Sequence, residues 1–147
     1  MRFLLDASAL LPLVTKHGRN LIAKAHKDWF AITDLAIYEA CNSVWKMTRL
    51  LQTISVEDGM ETVGVIRELI QREILHLLSV SELELGSTLK LAMERRLTYY
   101  DASYVMTAKH QSAVLITQDR ELAEAAREQV EVIGVNGLEK RLSSGTE

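Results

Sequence analysis

Short, uninterrupted apolar runs alternate along this chain with longer segments of helical period, and this alternation constrains the fold more than any other feature. The runs end at charged or turn-forming residues and lack the every-second-residue pattern of a strand with one solvated face. Uninterrupted apolar strands suit a parallel sheet that is covered on both faces. We therefore predict strands at residues 3–5, 29–32, 75–80, 113–116 and 130–135.

The intervening segments carry apolar residues three or four positions apart, as Ile37, Ala40, Cys41 and Val44 do. That spacing is typical of a helix with one buried face. We predict helices at residues 34–50, 57–74, 82–97, 101–111 and 119–128. Strands that alternate with helices predict an α/β fold, a three-layer sandwich with a central, mainly parallel sheet.

The length of 147 residues fits one domain, which we place at residues 1–142, with a flexible tail at 143–147. The single cysteine allows neither an intramolecular disulfide nor a cysteine zinc site. Asp6 interrupts the first apolar run too early for a signal peptide, and no apolar stretch reaches the length of a membrane span. These features predict a cytoplasmic protein.

The charge is unevenly distributed. The net charge is −3, yet residues 1–50 carry seven Lys or Arg against four Asp or Glu, an excess of +3. The cations of this half suit either a solvated helix surface or a phosphate-binding face. On the second interpretation, the candidate RNA-binding residues are Lys16, Arg19, Lys24, Lys27, Lys46 and Arg49.

Four acids stand where the predicted strands and helices would bring them to one edge of the sheet. Asp6 directly follows the first strand, Glu39 lies in the helix after the second, Asp101 opens a helix, and Asp119 follows the strand that ends at Ile116. Sites in open parallel sheets form outside the carboxyl ends of the strands. A helix of about 15 Å followed by a returning strand of about 16–20 Å brings Asp119 back to the edge where Asp101 began.

Taken singly, each acid has a structural explanation. Asp6, Asp101 and Asp119 could cap helices, and Glu39 shares a polar helix face with neighbouring side chains. Asp34 we interpret as a helix cap and nothing more. Together, several close carboxylates repel each other unless a cation intervenes. Oxygen ligands select Mg²⁺ or Mn²⁺, and the four histidines share no ligand spacing. Such a site suits phosphodiester hydrolysis.

Four segments of the chain resemble PIN domains in order and spacing. Residues 1–10 resemble the opening strand of that family, with Asp6 followed two residues later by Ser8. Residues 37–42 are similar to the helix that bears its second acid, and residues 98–108 to its third motif. Residues 115–122 resemble the fourth, with Thr117 two residues before the acid. The chain length favours the VapC-like toxin subgroup.

This resemblance implies an endoribonuclease with Asp6, Glu39, Asp101 and Asp119 around Mg²⁺ or Mn²⁺. Ser8 and Thr117 would support the site by hydrogen bonds to carboxylates or metal-bound waters. It also implies an antitoxin protein as partner, and we expect a homodimer.

Two alternatives remain at this point. One is an inactive or regulatory PIN-fold binding module. The other is a phosphohydrolase of the haloacid dehalogenase type, which needs a second Asp where this chain has Ser8. A response-regulator receiver would need a late Lys after a strand, which the chain lacks.

Overall fold

A computed structural model describes residues 1–24 and 28–144. Its centre is a five-stranded sheet in the order β3-β2-β1-β4-β5, with every neighbouring pair parallel. The strands are β1 (Arg2–Leu5), β2 (Trp29–Thr33), β3 (Leu75–Leu78), β4 (Val114–Ile116) and β5 (Val132–Ile133). The five predicted strands and the parallel sheet are thus confirmed.

Helices connect the strands and flank the sheet. They are α1 (Ala7–His17), α2 (Leu21–Lys24), α3 (Asp34–Trp45), α4 (Val56–Gln71), α5 (Leu85–Arg95), α6 (Tyr99–His110), α7 (Arg120–Ala126) and α8 (Val135–Ser144). A π-helical segment, Lys46–Leu50, continues α3, and 3₁₀ turns lie at Gly18–Asn20 and Val80–Glu82.

The core lies between the sheet and its helices. α1, α3 and α4 pack against one another, whereas α5 packs on α6, and α6 contacts β1 and β4. The central strand β1 is apolar and buried from Phe3 onward, with Leu4 and Leu5 both 0% exposed. The rings of Phe3 and Phe30 stack at 5.3 Å between centroids. This arrangement confirms the predicted α/β class and explains the uninterrupted apolar runs.

Several elements differ from the predicted pattern. β3 and β5 are shorter, because Val80 begins a 3₁₀ turn and Val135 begins α8. α1 has no counterpart among the predicted helices, since Pro12 lies inside it and interrupts the pattern of a helix. α8 extends to Ser144, so the first two residues of the predicted tail are helical, and the other three lie outside the described residues.

The strand order creates a switch point at β1. The chain proceeds from β1 to β2 and β3 on one side, then crosses to β4 and β5 on the other. The carboxyl ends of β1 and β4 therefore border the crevice where open α/β sheets bind ligands. Within the described part of the chain, no helix combines the length and apolarity needed to cross a bilayer.

Candidate active site

Asp6 occupies the end of β1 and is 4% exposed. It is the N-cap of α1, and its Oδ1 accepts hydrogen bonds from Ser8 Oγ at 2.7 Å and from the Ala9 amide at 2.9 Å. Its Oδ2 accepts one from the Thr117 hydroxyl at the end of β4. The carboxylate is thus fixed between the two strand ends that flank the switch point.

The segment after β4 is tied to the same site. Thr117 Oγ1 accepts from the Asp119 amide at 3.0 Å, and Ser8 Oγ accepts from the Gln118 amide at 2.8 Å. Asp119 caps α7, because its Oδ1 accepts from the amides of the next turn at 2.9 and 3.1 Å. Asp6 and Asp119 therefore cap helices and also belong to the acid cluster, so the two interpretations are compatible.

Asp101 lies three residues after the N-cap of α6, which is Thr98. Burial raises the pKa of Asp101, and the charges of Asp119, Asp6 and Glu121 raise it further. Burial is also the main cause that raises the pKa of Asp6, with a smaller contribution from Asp119, against the hydrogen bonds it accepts. The fold thus brings three of the four predicted acids together, and the charge of Asp119 disfavours ionisation of both Asp6 and Asp101.

Glu39 joins the site through a tyrosine. Its Oε1 accepts a hydrogen bond of 2.7 Å from the hydroxyl of Tyr104, which is 2% exposed and lies one turn after Asp101 on α6. The amide of Ala7 hydrogen-bonds to the same hydroxyl. Burial raises the pKa of Tyr104, and the charges of Glu39 and Asp6 raise it further, so the hydroxyl stays protonated and donates to Glu39.

The acid cluster, which we define as Asp6, Glu39, Asp101 and Asp119, offers oxygen donors alone. Among the described residues, no three His, Cys, Asp or Glu side chains are arranged to hold a metal ion directly. Mg²⁺ commonly keeps several waters and binds through one or two carboxylates and substrate phosphates. The donor chemistry of the cluster therefore fits a hard divalent ion, with part of its shell left to water and substrate.

A groove of about 660 Å³ leads from this cluster between α1 and α3. Ser8 and Glu39 line it near the acids, and Lys16 and Lys46 line it further away. Lys16 pairs with Glu139 at 2.8 Å, as Arg19 pairs with Glu68.

The other predicted cations differ from these two. Lys46 and Arg49 are exposed, and neither takes part in an ion pair with any described residue. Lys24 is described only as the last residue of α2, and Lys27 lies outside the described residues. The structure therefore leaves Lys46 as the unpaired cation of the α1–α3 groove among the described residues.

The sequence interpretation missed two groups and misjudged a third. Tyr104 lies inside the third PIN-like motif, and its spacing of three from Asp101 places both on one helix face. Glu121 was not considered, yet its charge reaches Asp101. Asp34 is not the cap of α3, which is Thr33; its Oδ2 instead accepts from the Val80 amide at 3.0 Å and ties α3 to the turn after β3.

Comparison with known proteins places this geometry in a family. The family model described as PIN domain matches residues 3–128. The curated protein Exonuclease VapC9 of Pyrobaculum aerophilum is 35% identical over 133 residues, covering 90% of this chain and 91% of that protein. Ribonuclease VapC3 of the same organism is 33% identical over 128 residues, covering 84% and 94%.

Solved structures share the fold. The crystal structure of PAE2754 from Pyrobaculum aerophilum has a TM-score of 0.78 at 33% identity, covering 98% of this chain and 90% of that one. VapBC2 from Rickettsia felis, bound to a DNA fragment from their promoter, has a TM-score of 0.65 at 15% identity, covering 91% and 98%. These matches replace the haloacid dehalogenase and response-regulator receiver alternatives by the PIN domain family. The chain belongs to the PIN domain family, and its curated relatives are VapC proteins.

Proposed function

We propose that this protein is a metal-dependent endoribonuclease, the toxin of a toxin–antitoxin pair, whose site is the acid cluster. The observation that carries the proposal is the convergence of Asp6, Asp101 and Asp119 at the switch point of the sheet, with Glu39 joined through Tyr104. Asp6 is buried and Asp101 is half-buried, and the charge of Asp119 raises the pKa of both. Carboxylates held in this way are costly to ionise, which suits a site that binds a cation. The relatives named exonuclease and ribonuclease support a nuclease activity.

Each acid has a distinct place in the proposal. Asp6 follows β1 and Asp119 follows β4 by three residues, whereas Glu39 lies on α3 and Asp101 on α6. Ser8 and Thr117 orient Asp6 by hydrogen bonds. PIN-domain nucleases generally use divalent metal ions. Mg²⁺ or Mn²⁺ bound here would activate water and stabilise the charge that develops on the phosphate.

The shape of the site supports cleavage within a strand. The α1–α3 groove opens on the side of Ser8 and Glu39, and a second cavity opens beside Asp101, at Tyr99, Tyr100 and Ser103. A strand that follows the groove and continues past the mouth of this cavity would present an internal phosphate to the acids. One relative is named an exonuclease, so the mode of cleavage needs its own test.

The test compares linear and circular RNA, and DNA of the same sequence, with Mg²⁺, with Mn²⁺ and with a chelator. We expect metal-dependent cleavage of both RNA forms, and no cleavage after Asp119→Asn. Cleavage of linear RNA alone would replace the endonuclease by an exonuclease. RNA binding without cleavage under any metal would favour the inactive binding module.

Metal binding is tested apart from activity by thermal unfolding. A ligand that binds the folded state alone stabilises it, by about 2.7 kcal/mol at one hundred times its Kd. We expect Mn²⁺ to raise the Tm of the wild-type protein and to leave that of Asp6→Asn nearly unchanged. Equal shifts in both proteins would remove Asp6 from the metal site.

The proposed partners are the RNA substrate, an antitoxin protein and a second copy of the chain, all in the cytoplasm. VapBC2, which shares the fold, supports the antitoxin as a partner. Co-expression of this protein with a candidate antitoxin, followed by an assay of RNA cleavage, would test that partner directly. Loss of cleavage in the co-purified complex is the expected result.

A further inference from the structure

A cavity of about 460 Å³ lies beside the acid cluster and is separate from the α1–α3 groove. We call it the tyrosine cavity, defined by Leu35, Leu78, Leu83, Tyr99, Tyr100 and Met106. It forms at the carboxyl ends of β2 and β3, between the turn after β3 and α6, along which it extends from Tyr99 to Gln111. None of the four acids lines it, but Tyr100 directly precedes Asp101 in the first turn of α6, so this end of the cavity adjoins the acid cluster.

The walls of the cavity suit a flat, mostly apolar group. Tyr100 is 62% exposed on α6, so its ring is free to receive a stacking partner. Tyr99 is held in place, since its hydroxyl donates to the Leu85 carbonyl at 3.4 Å. Ligand pockets of about 300–1,000 Å³ are mostly apolar with a few placed polar groups. One polar group here is the Ser103 hydroxyl, which donates to the Tyr100 carbonyl at 2.6 Å and keeps its capacity to accept.

The charge of the cavity excludes a phosphate. Asp34, Glu82 and Glu84 lie in its lining, and no Lys or Arg does among the described residues. Asp34 already accepts from two backbone amides, and Glu84 caps α5 through the Gly86 amide. A neutral occupant with hydrogen-bond donors fits this lining, whereas an anion would be repelled.

We propose that the tyrosine cavity binds one nucleobase of the RNA, next to the phosphate at the acid cluster, with Tyr100 as the stacking side chain. This inference rests on the proposed function. Every base has a π-face, and stacking on an aromatic side chain stabilises single-stranded nucleic acid in proteins. Phosphates remain outside, along the α1–α3 groove with Lys46, so base and backbone are bound on opposite sides of the acids.

The experiment pairs a side-chain deletion with a base deletion. RNA substrates carry one abasic nucleotide at successive positions around the cleavage site, and KM and kcat are measured for wild type, Tyr100→Ala and Tyr100→Phe. Loss of an aromatic–base stack weakens binding by about 5- to 150-fold. We expect KM to rise by such a factor when Tyr100→Ala acts on intact RNA. We expect the same rise when wild type acts on RNA that lacks one particular base. Tyr100→Phe should behave as wild type.

Tyr100→Ala and the abasic nucleotide should together raise KM no further than either change alone, because both remove the same contact. Tyr38→Ala, which removes an equally accessible tyrosine from α3 (77% exposed), is the matched control and should leave the abasic profile intact. Multiplied effects of Tyr100→Ala and the abasic position would overturn the inference, as would an unchanged KM. So would an altered molecular mass of Tyr100→Ala by light scattering, which would assign the cavity to a protein partner.

Failure of the proposed function is separable from failure of this inference. Should wild type cleave no RNA with any divalent metal, the same substrates and variants are compared by fluorescence anisotropy without metal. The same non-additive pattern in the dissociation constants supports the base cavity, and its absence overturns it.

Discussion

Burial makes Asp6 expensive to ionise, because only hydrogen bonds from Ser8, Thr117 and Ala9 replace the water it has lost. We expect Asp6→Asn to abolish RNA cleavage while leaving metal-free protein as stable as wild type or more stable. The asparagine removes a charge that Asp119 and Asp101 repel. RNA cleavage and thermal unfolding, measured on the same preparation, check the expected loss of activity and the expected stability. Full activity in the variant would show that Asp6 is not a functional metal ligand.

The stability difference between Asp6→Asn and wild type should depend on pH in a defined direction. The folded-state pKa of Asp6 lies above its ordinary value of 3.8. The folded protein therefore binds this proton more tightly than the unfolded chain, and ionised Asp6 destabilises the fold at neutral pH. As pH falls through the raised pKa, Asp6 becomes neutral and that penalty disappears. The Tm advantage of Asp6→Asn over wild type, measured without metal, should shrink over that range; an advantage that grows on acidification would contradict the argument.

Tyr104 is a positioning residue for Glu39, which is itself exposed. Removing the hydroxyl by Tyr104→Phe keeps the buried ring but frees the carboxylate. Loss of a group that orients a metal ligand typically costs about 10- to 100-fold in metal affinity or activity. We expect the metal concentration for half-maximal cleavage to rise by that order.

The matched control for Tyr104 is Tyr38→Phe, which removes a hydroxyl from the exposed residue next to Glu39 on the same helix. It should leave the metal dependence unaltered. A merely structural Tyr104 would lower the Tm of Tyr104→Phe without moving the half-maximal metal concentration.

At the scale of elements, the α1–α3 groove carries the part of the basic half that remains available to RNA. Each phosphate neutralised on a single strand contributes about 0.7 to the slope of log affinity against log salt. Lys46→Ala should therefore weaken RNA binding and flatten the slope by that amount. Lys16→Ala should do so much less, because Glu139 already neutralises Lys16. Equal salt slopes for Lys46→Ala and wild type, measured without metal, would show that Lys46 binds no phosphate and is a solvated surface residue.

The sequence predicted the five strands because parallel strands buried on both faces are apolar throughout, as Leu4 and Leu115 are. It also predicted that Asp101 and Asp119 lie at the same edge of the sheet. A helix and the strand that returns from it have similar lengths, which depend only on helix and strand geometry. It could not show that Lys16 and Arg19 are paired with Glu139 and Glu68, which lie 123 and 49 residues away. Such contacts depend on how α8 and α4 dock.

The same limit explains the apolar stripe of α4. Met60, Val63, Ile66 and Ile70 follow one another along α4 at helical spacing, a pattern that suits a partner surface as well as a core face. In the fold, Ile66 is 2% exposed and packs in the core, whereas Met60 is 67% exposed. Helical periodicity identifies an apolar face but not what covers it. Trp45 and Leu51, at and beyond the end of α3, are exposed at 51% and 65%, so a partner surface in this region stays a prediction.

At the scale of the whole molecule, α5 carries another exposed apolar row, and we expect a second copy to bind there. Leu85, Leu89 and Met93 are 57%, 50% and 67% exposed and follow one another at intervals of four along one face. Rows of this spacing are the ridges by which helices pack in globular proteins. The row is also self-complementary: with Leu89 on a twofold axis, Leu85 meets the partner's Met93. Contiguous exposed apolar residues of this kind mark interaction surfaces.

We therefore expect wild-type protein to be a dimer at micromolar concentration, and Leu89→Lys to be a monomer. Two lysines opposed across the axis would be desolvated and would repel each other, whereas in the free protein the exposed side chain is solvated. Light scattering measures the mass, and thermal unfolding checks that the variant is folded. Met60→Lys, equally exposed on α4, is the control and should remain dimeric. If Met60→Lys dissociates the dimer and Leu89→Lys does not, the second copy binds α4. A wild-type monomer would exclude the homodimer itself, while leaving the acid cluster, which lies within one chain, as it stands.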